Sequence, residues 1–189
     1  MANGLKSLVK DTALYGISSI VGRFLNYLLV PLYTIKITAE SGGYGVVTNV
    51  YAYTALLLVL LTFGMETTLF RFSTKEGEDS RKVYGTVLWL VTGVAVAFAL
   101  LCLVFNAPIS AWMGYADHPW YIGMMMLVIA MDAFQCLPFA YLRYRKKPLV
   151  FAGLKMLFIV LNITLNLIYY VGMGGSDVFY AFFFNLICT

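Results

Sequence analysis

The chain has 189 residues, 61% of them hydrophobic and only 12% charged, with a formal net charge of +4. Soluble domains run closer to half apolar and a quarter charged, so this composition excludes an ordinary soluble domain and indicates a membrane protein. The basic residues sit in short loops between apolar runs, so the positive net charge does not point to nucleic acid.

In chain order, residues 1–11, with Lys6 and Lys10, read as a short amphipathic lead-in on the cytoplasmic membrane surface. The first predicted span, Thr12–Lys36, is apolar apart from a central Arg23, and Pro31 is expected to kink its outer third. Arg23 interrupts the apolar run and no small-x-small site ends it, so the segment does not read as a cleavable signal. After a turn at Ala39–Gly43, a second span is expected over Tyr44–Phe70, followed by the polar loop Arg71–Lys82. The third span, Val83–Phe105, is free of charge from Thr86 onward. Residues 106–118 read as a loop, with Pro108 and glycine or aspartate turn signals. A fourth span is expected over Pro119–Leu142 and a fifth over Leu149–Gly172, joined by a basic turn from Arg143 to Lys147. Residues 178–189 begin a sixth apolar helix of about 18 Å, short of the roughly 30 Å of a bilayer core. The sequence is thus expected to be cut within an element. The fold class is all-α, a polytopic membrane helix bundle occupying residues 12–189, with five full transmembrane helices and the start of a sixth.

The loops predict an orientation. Lys6, Lys10, Arg71, Lys75, Arg81, Lys82, Arg143, Arg145, Lys146 and Lys147 share one side if five spans alternate, and the opposite side holds only Lys36. That asymmetry predicts a cytoplasmic N-terminus.

Polar residues inside the spans are expensive in lipid and are therefore candidate functional groups. Counting about 1.5 Å per residue from the cytoplasmic ends puts Arg23 at about 17 Å and Asp132 at about 15 Å. On the same count Glu66 lies about 6 Å deep, Lys155 about 9 Å, and Asn26 and Asn162 both about 20 Å. Two opposite-charge pairs are expected, Arg23 with Asp132 and Glu66 with Lys155. Arg23 and Asn26, Asp132 and Gln135, and Asn162 and Asn166 share helix faces by their spacing, so helices one, four and five are expected to surround a polar cavity. The candidate substrate-binding residues are Arg23, Asn26, Asp132, Gln135, Asn162 and Asn166, and the candidate gating or ion-pair residues are Glu66, Lys155 and Arg71. Snorkelling for Glu66 and Lys155, and hydrogen-bonded helix packing for the two asparagines, stand as alternatives.

The aromatic residues near span ends, among them Tyr44, Tyr51, Trp112, Trp120, Tyr121 and Tyr170, read as an interfacial belt rather than as sugar-stacking groups. Cys102, Cys136 and Cys188 match no metal or redox spacing and read as small core residues. His118 reads as structural. No phosphate-binding glycine loop, HExxH or nucleophile elbow is present, so neither an enzyme nor a bound cofactor is expected.

Three stretches carry a resemblance: Lys10-Asp11-Thr12, then Gly22-Arg23-Phe24-Leu25-Asn26, then Leu29-Val30-Pro31-Leu32-Tyr33-Thr34. Tyr44-Gly45, Phe63-Gly64-Met65-Glu66 and Phe70-Arg71-Phe72 add to it. Together they resemble bacterial polysaccharide flippases of the O-antigen type, in the multidrug/oligosaccharidyl-lipid/polysaccharide exporter superfamily. The resemblance implies a two-lobed exporter that moves undecaprenyl-diphosphate-linked oligosaccharide outward across the inner membrane, of which this chain is most of the first lobe. It implies as partners that substrate, membrane lipids, and a second six-helix lobe or another copy. Under it, Arg23 would meet the diphosphate by competing with Asp132. A cation-coupled drug exporter of the same superfamily and a non-transporting membrane subunit or remnant are the competing readings.

Overall fold

The computed structural model describes residues 15–16, 20–21, 24–25, 27–37 and 43–189. The amphipathic lead-in, most of the first predicted span and the turn at 38–42 lie outside the described residues. Within them the regular structure is entirely helical: α1 (Leu29–Lys36), α2 (Gly43–Thr62), α3 (Met65–Ser73), α4 (Ser80–Val104), α5 (Asn106–Trp112), α6 (Pro119–Tyr144), α7 (Pro148–Leu167), a π-helical turn (Ile168–Gly172) and α8 (Val178–Cys188). Four segments among the described residues are long and apolar enough to cross a membrane: Gly43–Ser73, Ser80–Val104, Pro119–Tyr144 and Pro148–Gly172.

Local sequence chemistry sets the helix starts. The Asp79 carboxylate accepts from the Arg81 N–H at 2.9 Å and caps α4, and Asp177 accepts from the Phe179 N–H at 2.8 Å and caps α8. Pro119 and Pro148 each open a helix at a position where a missing N–H costs nothing. Pro31 sits in the first turn of α1, where helices tolerate a missing N–H.

Two elements differ from the sequence expectation. The second span is not one helix: it breaks at Phe63–Gly64, whose φ angles of +46° and +65° are both left-handed. Glycine takes that conformation without steric cost. The Thr62 hydroxyl donates to the carbonyls of Leu58 and Val59, and the Thr67 and Thr68 N–H groups bond the Gly64 carbonyl, so polar groups on both sides of the break are satisfied. The segment 106–118, expected to be a loop throughout, contains the short helix α5. Pro108 lies in its first turn, where helices tolerate proline. The Asn106 side chain lies over Gly123 of α6, and a Cβ at Gly123 would stand 3.2 Å from its amide nitrogen.

α6 is the hub, packing against α2, α3, α4, α5, α7 and α8. Of its most apolar stretch 61% is buried, against 6% for the stretch that contains α7. Gly123, Ala130, Ala133 and Ala140 let neighbours approach closely, as small residues do where lipid gives no hydrophobic drive between helices. The main core joins α6 to α1, α2, α4, the π-turn and α8, and a smaller cluster of Leu69, Val87, Val91, Leu137 and Ala140 ties α3 and α4 to α6. Cross-links mark the two ends of the bundle. At the basic end the Tyr144 hydroxyl donates to the Ser73 carbonyl at 2.8 Å. At the opposite end Asn49 donates to the Tyr115 hydroxyl oxygen at 2.9 Å, and the Tyr170 hydroxyl donates to the Asp177 carbonyl at 2.7 Å.

Candidate functional site

Two polar constellations stand out, and they are separate. The first is a cavity of about 480 Å³ at the end of the bundle opposite the basic loops. That volume suits a small-molecule group. Tyr27, α1, α2, α7 and α8 enclose it. Among the described residues its polar lining is Tyr27, Tyr33, Tyr44, Thr48 and Tyr51, faced by Asn162 and Asn185, with Leu29, Val30 and Val47 as the apolar part. Tyr51 lies two helical turns into α2, so the cavity reaches about 12 Å down the bundle.

The wall is hydrogen-bonded. Asn185 donates to the Tyr51 hydroxyl oxygen at 2.7 Å. Tyr33 donates to Asn166 Oδ1 at 2.9 Å, and Asn166 donates onward to Asn162, to its carbonyl oxygen at 2.8 Å and to its Oδ1 at 3.0 Å. Tyr33 also stacks with Tyr44 at 6.3 Å between ring centroids and meets Tyr170 edge to face at 5.6 Å. No charged side chain lines the cavity among the described residues.

The second constellation is a charged cluster between α3, α6 and α7. Glu66 on α3 forms an ion pair with Arg143 on α6. The Cys136 thiol donates to the other Glu66 oxygen at 3.0 Å, and the Arg143 guanidinium stands over the Phe70 ring at 5.7 Å. Lys155 on α7 lies over the Phe139 ring at 4.4 Å. Asp132, Cys136, Phe139 and Arg143 recur at helical spacing, so one face of α6 carries the cluster.

The predicted site residues fall out unevenly. Arg23 and Asn26, and with them the Arg23–Asp132 pair, lie outside the described residues; Tyr27, four positions after Arg23, lines the cavity. Asn162 lines the cavity and Asn166 is wholly buried behind it. Asp132 and Gln135 are not among its described lining residues: both are half-buried on α6, and Gln135 donates to the Thr189 carbonyl. Of the three helices expected around a polar cavity, one and five line this one, and among the described lining residues the second and sixth stand where the fourth was expected. Glu66 is paired with Arg143 rather than Lys155, because α6 continues to Tyr144 and brings into the helix an arginine that the sequence reading left in the turn. Arg71 is exposed in the last turn of α3.

The belt reading also needs correcting. Trp112 and Trp120 are exposed as it requires, but Tyr121 and Tyr170 are buried core, and Tyr44 and Tyr51 line the cavity. Sequence reasoning missed Tyr33, Asn185, Cys136 and Arg143 as site residues. Asn185 carried a usable signal, being the one amide in the apolar run Val178–Cys188. Comparison with protein-family models, with curated proteins and with solved structures found no match to this chain.

Proposed function

We propose that the chain is one lobe of a transporter that flips undecaprenyl-diphosphate-linked oligosaccharide outward across the bacterial cytoplasmic membrane, for surface polysaccharide synthesis. Its partner in that work is a second six-helix lobe or another copy of the chain, since alternating access needs two bodies around one site. The sequence motifs supply the family resemblance, and one structural observation carries the reading. A cavity walled by tyrosine rings, amides and a threonine hydroxyl, with no charge among its described lining residues, suits a neutral, hydroxyl-rich cargo better than a cationic drug. Tyrosine rings offer flat apolar faces to sugar carbons while amides and hydroxyls meet sugar oxygens. In this reading the N-terminus and the two basic loops face the cytoplasm, and the cavity opens outward.

The test is complementation of a bacterial strain lacking its polysaccharide flippase, with surface polysaccharide as readout. The chain is supplied alone and together with the second lobe of a flippase, each beside a Tyr51→Ala/Asn185→Ala variant. Restoration that is lost in the variant supports the reading. Correct insertion with no restoration in any arm would refute it.

A further inference from the structure

The buried hydrogen-bond chain behind the cavity has a direction, and one residue sets it. Asn166 is fully buried, and the two edges of its amide can be told apart by their partners. One edge lies 2.8 Å from the backbone carbonyl of Asn162, a group that can only accept, so that edge is the NH2. The other edge is then the carbonyl oxygen, which can only accept, so Tyr33 at 2.9 Å commits its single proton to Asn166. The second N–H of Asn166 meets Asn162 Oδ1 at 3.0 Å, so the Asn162 side chain accepts there and its own NH2 is the arm not used in these bonds. Two cavity-lining groups are thereby polarised from behind. Tyr33 presents oxygen lone pairs, and Asn162 presents N–H donors. The Tyr33 ring is wedged between Tyr44 and Tyr170, which keeps its oxygen in place.

A wall with a fixed acceptor beside a fixed donor discriminates by the hydrogen-bonding character of its occupant. A phosphate or carboxylate oxygen only accepts and would face the lone pairs of Tyr33. An ammonium group only donates and would face the N–H groups of Asn162. A hydroxyl does both: it donates to Tyr33 Oη and accepts from Asn162 Nδ2. We infer that Tyr33 and Asn162 form a subsite for a neutral sugar hydroxyl, and that Asn166 is the positioning residue that fixes its polarity without touching the occupant. The inference rests on the transport reading for what the cavity carries. It deepens that reading by assigning this end of the bundle to the glycan of the cargo rather than to its charged diphosphate.

The experiment uses the full chain in lipid nanodiscs, with the neutral trisaccharides maltotriose and raffinose as probes and saturation-transfer NMR titration as readout. The unmodified chain is expected to bind at least one of them at millimolar concentration. Tyr33→Phe removes the acceptor and keeps the ring, and should weaken binding about tenfold, the effect of one hydrogen bond in such a site. Asn162→Asp leaves only acceptors on that arm and should do the same. Asn166→Asp offers at most one donor hydrogen in place of two, so it cannot bond both Asn162 oxygens and frees the Asn162 side chain to turn over; it should weaken binding similarly while the folded fraction melts cooperatively. A merely structural Asn166 would lower the melting temperature and leave the affinity of the folded protein unchanged, and that result would overturn the inference. If Asn166→Asp does not fold, unchanged binding by Tyr33→Phe overturns it instead, as does failure of the unmodified chain to bind either sugar at tens of millimolar. Sugar binding with this variant pattern, but no complementation in the flippase-deficient strain, would sink the transport reading and leave the subsite standing.

Discussion

Replacing Arg143 by alanine probes whether the Glu66–Arg143 ion pair holds α3 to the bundle or is an incidental surface contact. The side chains of Glu66 and Arg143 are 38% and 35% exposed, which sets the pair between two regimes. Fully exposed pairs contribute about 0.2–1 kcal/mol, and removing one partner of a fully buried pair costs about 3–5 kcal/mol. Arg143→Ala also loses the guanidinium contact over Phe70, worth about 0.5–1 kcal/mol at a partly open site. The expected cost is about 2 kcal/mol. Glu66→Gln keeps the shape and an acceptor for the Cys136 thiol, so it should cost less, about 1 kcal/mol. The assay is reversible unfolding by SDS in mixed micelles, followed by far-ultraviolet circular dichroism, for both single variants and the double variant. A double-mutant coupling near 1 kcal/mol that shrinks with added salt is expected. A coupling below about 0.3 kcal/mol, within the usual error of additivity, would refute the reasoning and reduce the pair to a surface contact.

Three further outcomes can be checked on the same preparation. Phe63 is 68% exposed at a φ of +46°, so Phe63→Gly loses little packing, relieves the left-handed strain and should stabilise by about 1 kcal/mol, while Gly64→Ala should destabilise by a similar amount; SDS unfolding midpoints measure both. Ala140 is completely buried in the small cluster with Leu69 and Leu137, so Ala140→Leu should overpack it and lower stability by about 1–3 kcal/mol, read as a drop in melting temperature. Membrane-impermeant maleimide should label a cysteine at Lys146 only from the cytoplasmic side and one at Asp117 only from outside, in a background whose native cysteines are replaced; the reverse pattern would invert the orientation.

Four of the five predicted spans, the second to the fifth, answer to segments long and apolar enough to cross a membrane, and they were legible because their signal is run length. Uninterrupted apolar stretches, with charge gathered in the loops and proline or aspartate at helix starts, need no knowledge of neighbours. The break at Phe63–Gly64 was not legible, since a single glycine in an apolar run is ordinarily tolerated and the left-handed conformation of Phe63 has no sequence signature. The charge partners were ranked by depth along each helix, which is sound as far as it goes. Depth says nothing about which way a side chain points around its helix axis, and that direction is set by how α6 is surrounded. Hence Lys155 lies over Phe139, and Glu66 meets Arg143. The cavity was half legible: Asn162 and Asn166 announced themselves as amides in lipid, whereas Tyr44 and Tyr51 sat where an interfacial belt explains a tyrosine just as well.

The joint at Phe63–Gly64 divides mechanically a segment that hydropathy does not divide. α2 and α3 together are long and apolar enough to cross a membrane, yet only two left-handed residues connect them. α3 is fastened to α6 along its whole length: by Glu66 to Arg143 at its start, by Leu69 against Leu137 and Ala140 in its middle, and by the Ser73 carbonyl to the Tyr144 hydroxyl at its end. α2 instead supplies Tyr44, Thr48 and Tyr51 to the cavity and is bonded through Tyr51 to Asn185 of α8. α6 also packs directly against α2 and α8, so a tilt of α6 moves the cavity wall as well as α3, and the pivot at Phe63–Gly64 lets the two halves of this segment follow it at different angles.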